Sequence, residues 1–238
     1  MEPRRMFARH LWLVALAFVA CRSSSPPPRP LLHALRSVAP KGRASVLVVL
    51  HGLGANERDL FELGKQVAPE SLIVALRAPL EVGPDQFSWF SVRFTAEDPV
   101  HDVAAAETSR ARIVEFVRAL KLEPGVDADR VTLLGFSQGA ILSEAVAMTE
   151  PALVSGVVLM SGRTLPELKP VASTKRPRVL LMHGTRDPLL RYAGAVQTNE
   201  VLRAAGYDVD FRSFDARHEV TAEMVAATRS WLGASNRP

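Results

Sequence analysis

The chain has 238 residues, 47% of them hydrophobic and 23% charged, which fits one globular domain with a large core and excludes a disordered chain. Its single cysteine, Cys21, excludes a disulfide scaffold. The net charge of +4 belongs to the front end: residues 1–30 hold five arginines against one glutamate, leaving 24 basic and 24 acidic residues behind them, so the body offers a nucleic acid no electrostatic footprint.

In chain order, the first element is a leader. Arg4, Arg5 and Arg9 precede an unbroken apolar run, Leu11–Ala20. A ten-residue helix rises about 15 Å, half of a bilayer core of about 30 Å, so the run reads as an export signal over residues 1–20 rather than a membrane span. The sequence Phe18-Val19-Ala20-Cys21 resembles the lipobox of bacterial lipoproteins, with Phe18 where leucine is usual. That resemblance implies lipid attachment at Cys21. Residues 21–40, opening on Arg22–Pro30 (RSSSPPPRP), then serve as a stiff polar tether. The expected product is an exported protein, held to the membrane only by its lipid and facing the periplasm or the cell exterior. The alternative is a soluble secreted protein whose cleaved signal contains Cys21.

From residue 41 onward strands and helices alternate. Apolar, β-branched runs predict strands at Ser45–Leu50, Leu72–Leu76, Val131–Leu134, Gly156–Met160, Val179–Met182 and Val209–Phe214. Helical spacing predicts helices at Arg58–Ala68, Val103–Leu120, Ala140–Met148, Tyr192–Ala205 and Thr221–Leu232. Pro79–Pro99 reads as irregular. Six strands separated by helices imply an α/β fold, a mostly parallel sheet covered on both faces, with no length to spare for a large lid.

Gly135-Phe136-Ser137-Gln138-Gly139 is a G-x-S-x-G sequence between a predicted strand and a predicted helix. A serine hydroxyl is a poor nucleophile and must be presented on a sharp turn, open to a base; small flanking residues permit that turn. In hydrolases built this way the chain order is serine, acid, histidine. Only His183 and His218 follow Ser137. With Asp187 as the acid, behind an apolar strand and a glycine turn, only His218 remains as the base. Asp208, Asp210 and Asp215 are the rival carboxylates. The oxyanion needs two backbone donors. One is the N–H of Gln138; the other comes from His51-Gly52-Leu53-Gly54, directly after the first core strand, and is assigned to Leu53, with Gly52 and Gly54 as alternatives. Trp89 and Phe90 are candidate walls of an acyl pocket, with a plain core role open for Phe90.

Taken together, HGLGAN at 51–56, RAP at 77–79, the SWF around Trp89, GFSQG at 135–139, MSG at 160–162, HGTRDP at 183–188 and His218 resemble the phospholipase/carboxylesterase family of α/β-hydrolases, which includes acyl-protein thioesterases. The resemblance covers about residues 44–233. It implies a triad of Ser137, Asp187 and His218, with no metal and no organic cofactor. Ala140 stands where a further glycine is common, and an export-type leader precedes a family that is mostly cytosolic. The expected activity is hydrolysis of small carboxylic esters with short to medium acyl chains. A thioesterase or peptidase on the same triad is the alternative among enzymes, and a surface lipoprotein that only binds is the alternative from another class.

Overall fold

The computed structural model describes residues 32–39, 41–93, 95 and 99–234. The expected signal and the Cys21 attachment site lie outside them. Among the described residues no helix is long and apolar enough to cross a membrane.

The central sheet has seven strands in the order β1-β3-β2-β8-β9-β10-β11. These are β1 (Ala34–Arg36), β2 (Ala44–Leu50), β3 (Leu72–Leu76), β8 (Val126–Phe136), β9 (Gly156–Met160), β10 (Arg178–Gly184) and β11 (Val209–Phe214). All neighbours run parallel except β1, which pairs antiparallel with β3 at the edge. This is an α/β-hydrolase fold, with no large lid among the described residues.

Two differences from the sequence reading stand out. Residues 34–36 were placed in the tether, yet they form the edge strand. Three residues carry too little pattern to be read. They are held by Leu32, which is buried, and by reciprocal bonds beyond the strand: Ser37 N–H donates to Ile73 O at 2.9 Å, and Ile73 N–H to Ser37 Oγ at 3.0 Å. The stretch read as irregular holds β4 (Leu80–Gly83) paired antiparallel with β5 (Gln86–Ser88), and β6 (Val92–Arg93), which pairs antiparallel with β7 (Val100–His101) just beyond it.

The helices are α1 (Phe61–Val67), α2 (Val103–Leu120), α3 (Gln138–Thr149), α4 (Tyr192–Ala204) and α5 (Ala222–Ala234). Period-2 alternation of the strands decides which face each residue feeds. In β2, Val46, Val48 and Leu50 point into a core shared with α2, α3 and α4, whereas Leu47 and Val49 join the core under α1 and α5. Each fully buried Val or Leu is worth roughly 1.5–3 kcal/mol of transfer free energy, and that burial rather than helix propensity holds the layers together. The chain runs from β2 outward to β3 on one side and to β8 on the other. The carboxyl ends of β2 and β8 therefore flank a switch point in strand order, where loops diverge and leave a crevice.

Candidate active site

Ser137 follows the last residue of β8 and opens α3. Its backbone sits at φ 54°, ψ −118°, a conformation that costs a non-glycine residue about 1–3 kcal/mol. The turn is tied in place by Ser137 N–H donating to Met160 O at 2.9 Å. Glycine is forced on either side: a β-carbon on Gly135 would stand 2.2 Å from Gly139 O, and one on Gly139 would stand 2.0 Å from Leu50 O.

Three strands supply the polar side chains gathered at this edge. His218 Nε2 lies 2.9 Å from Ser137 Oγ, and His218 Nδ1 lies 2.7 Å from Asp187 Oδ2. Asp187 and His218 come from the loops after the neighbouring strands β10 and β11, which is why residues 31 apart in sequence meet. The other carboxylate oxygen, Oδ1, accepts the N–H groups of Leu189 and Leu190, both at 2.9 Å. Burial alone would raise the Asp187 pKa. Donors on His183, His218 and Leu190, with the His218 charge, outweigh it and hold the carboxyl well below the usual carboxylate range. An ionised Asp187 only accepts, so it fixes the His218 proton on Nδ1 and leaves Nε2 free to take the Ser137 proton. The Phe136 ring, 4.9 Å from the imidazole centroid, restrains the ring from the side. Of the three rival carboxylates, Asp210 pairs with Arg212 at 2.6 Å, Asp215 pairs with Arg186 at 2.5 Å, and Asp208 is exposed.

His51 braces the loop that carries Leu53. Its Nδ1–H donates to Gly52 O at 2.7 Å, and its Nε2 accepts Ala78 N–H at 3.0 Å. Burial lowers its pKa, keeping the ring neutral in that tautomer. Gly54 N–H donates to Phe87 O and Phe87 N–H to Ala55 O, each at 2.9 Å, so the loop is bridged to β5. Leu53, Gln138 and Ser137 line one cavity of about 460 Å³.

Phe90 lines that cavity with Val92, Ile141, Leu165, Leu189 and Val220. Trp89 does not reach it, contrary to expectation. Its side chain is fully buried, and its indole N–H donates to His51 O at 2.9 Å, turning it into a prop beneath the loop. The sequence reading used only the backbone of Gln138. The side chain matters as well: Oε1 accepts Trp89 N–H at 3.0 Å and Nε2–H donates to Phe90 O at 2.9 Å, so it staples the pocket wall to the start of α3. His183 is fully buried; its Nε2–H donates to Leu190 O at 2.8 Å and lies 3.3 Å from Asp187 Oδ2.

A larger groove of about 640 Å³ opens at the amino ends of the strands, along Ser45, Thr132, Gly156 and Arg178, away from Ser137. In parallel sheets ligands gather at the carboxyl ends, and the smaller cavity sits there with the Ser–His–Asp array.

The chain belongs to the Phospholipase/Carboxylesterase family, whose pattern it matches over residues 35–236. It is 35% identical to the esterase YpfH of Escherichia coli over 175 residues, 71% of this chain and 73% of that protein. It is 26% identical to acyl-protein thioesterase 1 of Neurospora crassa over 138 residues, 55% of this chain and 56% of that protein. The Bacillus cereus carboxylesterase structure superposes with a TM-score of 0.77 at 20% identity, covering 86% of this chain and 94% of that one.

Proposed function

We propose that this protein is a serine esterase that cleaves small carboxylic esters through an acyl-enzyme on Ser137. The observation that carries this reading is the unbroken chain Ser137 Oγ, His218, Asp187 at 2.9 and 2.7 Å. In the first half-reaction Ser137 Oγ bonds to the acyl carbon while His218 Nε2 takes its proton. The tetrahedral intermediate places its oxyanion against the Leu53 and Gln138 N–H groups, and its collapse breaks the bond to the alcohol, which leaves with the proton from His218. In the second half-reaction His218 takes a proton from water, the hydroxide attacks the acyl-enzyme, and the carboxylic acid departs as Ser137 regains its proton. Asp187 stays ionised throughout and stabilises the imidazolium. The open cavity of about 460 Å³ supports short to medium acyl chains.

A fluorophosphonate probe tests this directly. It should label Ser137 in the wild-type protein and nothing in Ser137→Ala, and that variant should lose p-nitrophenyl butyrate turnover by on the order of a millionfold. Near-normal turnover in a folded Ser137→Ala rejects the mechanism. The resemblance to acyl-protein thioesterase 1 favours thioesters as the second reading; matched oxygen and thiol esters compared side by side decide between them. The leader and Cys21 support an exported, lipid-anchored form. Labelling with a palmitate analogue tests that, and an unlabelled mature protein beginning after Cys21 removes it.

A further inference from the structure

We infer that Arg163 is a specificity residue selecting esters that carry a second, anionic group, a carboxylate or a phosphate; this rests on the esterase reading above. Arg163 lines the same cavity as Ser137 and His218. Its Nη2 donates to Pro99 O, another cavity residue, at 2.7 Å. That is its only side-chain hydrogen bond among the described residues, and no carboxylate there pairs with it. Its Nε is shut away without a partner. Apolar side chains dominate the cavity around it. Among the described residues the guanidinium has one neutral acceptor and no paired carboxylate, with Asp59 elsewhere on the cavity wall, so an incoming anion meets donors that those residues leave open. A carboxylate or phosphate matches the planar fork of donors that an arginine offers.

The backbone beneath Arg163 is fixed with unusual firmness. Ser161 sits at φ 52° with its N–H on Met182 O at 2.9 Å. Gly162 lies so close to α3 that a β-carbon there would be 2.8 Å from Ala140 Cβ. Thr164 N–H donates to Thr198 Oγ1 at 2.8 Å, and the Thr164 hydroxyl donates to the buried Glu144 carboxyl. A strained, pinned segment that delivers one under-satisfied cation into a reaction cavity is the arrangement expected of a recognition group. Arg163, Leu165 and Leu190 also wall a neighbouring cavity of about 410 Å³, which places the arginine at the border of the reaction cavity and leaves room beyond it.

The test compares isosteric pairs in the full-length protein. On the acyl side, p-nitrophenyl hemisuccinate and hemiglutarate are set against the butyrate and valerate. On the alcohol side, 1-butyryl-glycerol 3-phosphate is set against 1-butyryl-glycerol. The wild-type enzyme should prefer the anionic member of one pair by about tenfold or more in kcat/KM, and Arg163→Met should cut that preference ratio by at least about tenfold, mainly through KM, with Arg163→Lys in between. The pair that responds identifies the side and the anion. Absence of preference in every pair overturns the inference without needing a variant, and so does an Arg163→Met whose losses on charged and neutral esters are equal, since that marks a prop for Pro99 only. Failure of the esterase reading looks different: no ester is turned over and the fluorophosphonate probe does not react.

Discussion

Gly184 and Ala216 are in such close contact that a β-carbon on Gly184 would stand 2.4 Å from the Ala216 carbonyl oxygen. Gly184 is the last residue of β10, three before Asp187, and Ala216 is two before His218, so this contact sets the spacing of the two loops. Arg186 N–H donating to Ala216 O at 3.0 Å closes it. Gly184→Ala must push the His218 loop away from Ser137. A shift of about 1 Å in a reacting group costs about a hundredfold, and kcat for p-nitrophenyl butyrate should fall by that order while the far-ultraviolet circular dichroism is preserved. Turnover within twofold of wild type would show that the loop spacing has slack.

Asp187→Asn should lower kcat by about ten thousandfold. The amide matches the carboxylate in shape, but it brings no charge to stabilise the imidazolium, and its NH₂ can occupy an acceptor position facing His183 or His218. Steady-state kinetics on a variant whose melting temperature stays near wild type checks it; a loss of tenfold or less would place the acid elsewhere.

The Gln138 side chain yields a stability prediction. In Gln138→Leu the buried Trp89 N–H loses its acceptor, whereas the Phe90 carbonyl keeps the Ser88 hydroxyl at 2.7 Å, so the cost is about 1–3 kcal/mol. For a domain of this size that is a fall in melting temperature of about 2–12 °C. Calorimetry gives the number, and an unchanged melting temperature would mean the loop at 88–90 holds itself.

Glu144 makes stability depend on pH. Burial pushes its carboxyl up to about 8 from 4.5, against the opposing hydrogen bond from Thr164. Between those two values the folded chain keeps a proton that the unfolded chain releases. The contribution is therefore fully present below about 4.5 and is lost as pH rises towards 8. Glu144→Gln removes the titration. Its melting temperature relative to wild type should climb steadily from pH 5 to about pH 8.5; a pH-independent difference would show that Glu144 does not carry its proton in the folded state.

The six long parallel strands and the helices between them were legible because burial on both faces demands unbroken apolar runs, and such runs occur at 45–50, 72–76 and 156–160. β1 was not legible, because three residues at an edge are recruited by a neighbour's open hydrogen bonds rather than by their own pattern. The hairpins between Leu80 and His101 escaped for the same reason. Ser137, Asp187 and His218 could be chosen in the sequence from motif context and chain order, since a nucleophile elbow requires glycines at fixed offsets.

What the sequence could not decide is where a side chain points once the chain is packed. Trp89 looked like a pocket wall and became a buried prop; the Gln138 amide became a staple; Arg163 arrived in the cavity that Ser137 lines, with no paired carboxylate among the described residues. Local pattern reports which residues avoid water, a property each residue carries along the chain. The neighbour each polar atom finds depends on segments dozens of residues apart, and only the folded sheet, by stacking β8, β9, β10 and β11 side by side, brings those segments within bonding distance.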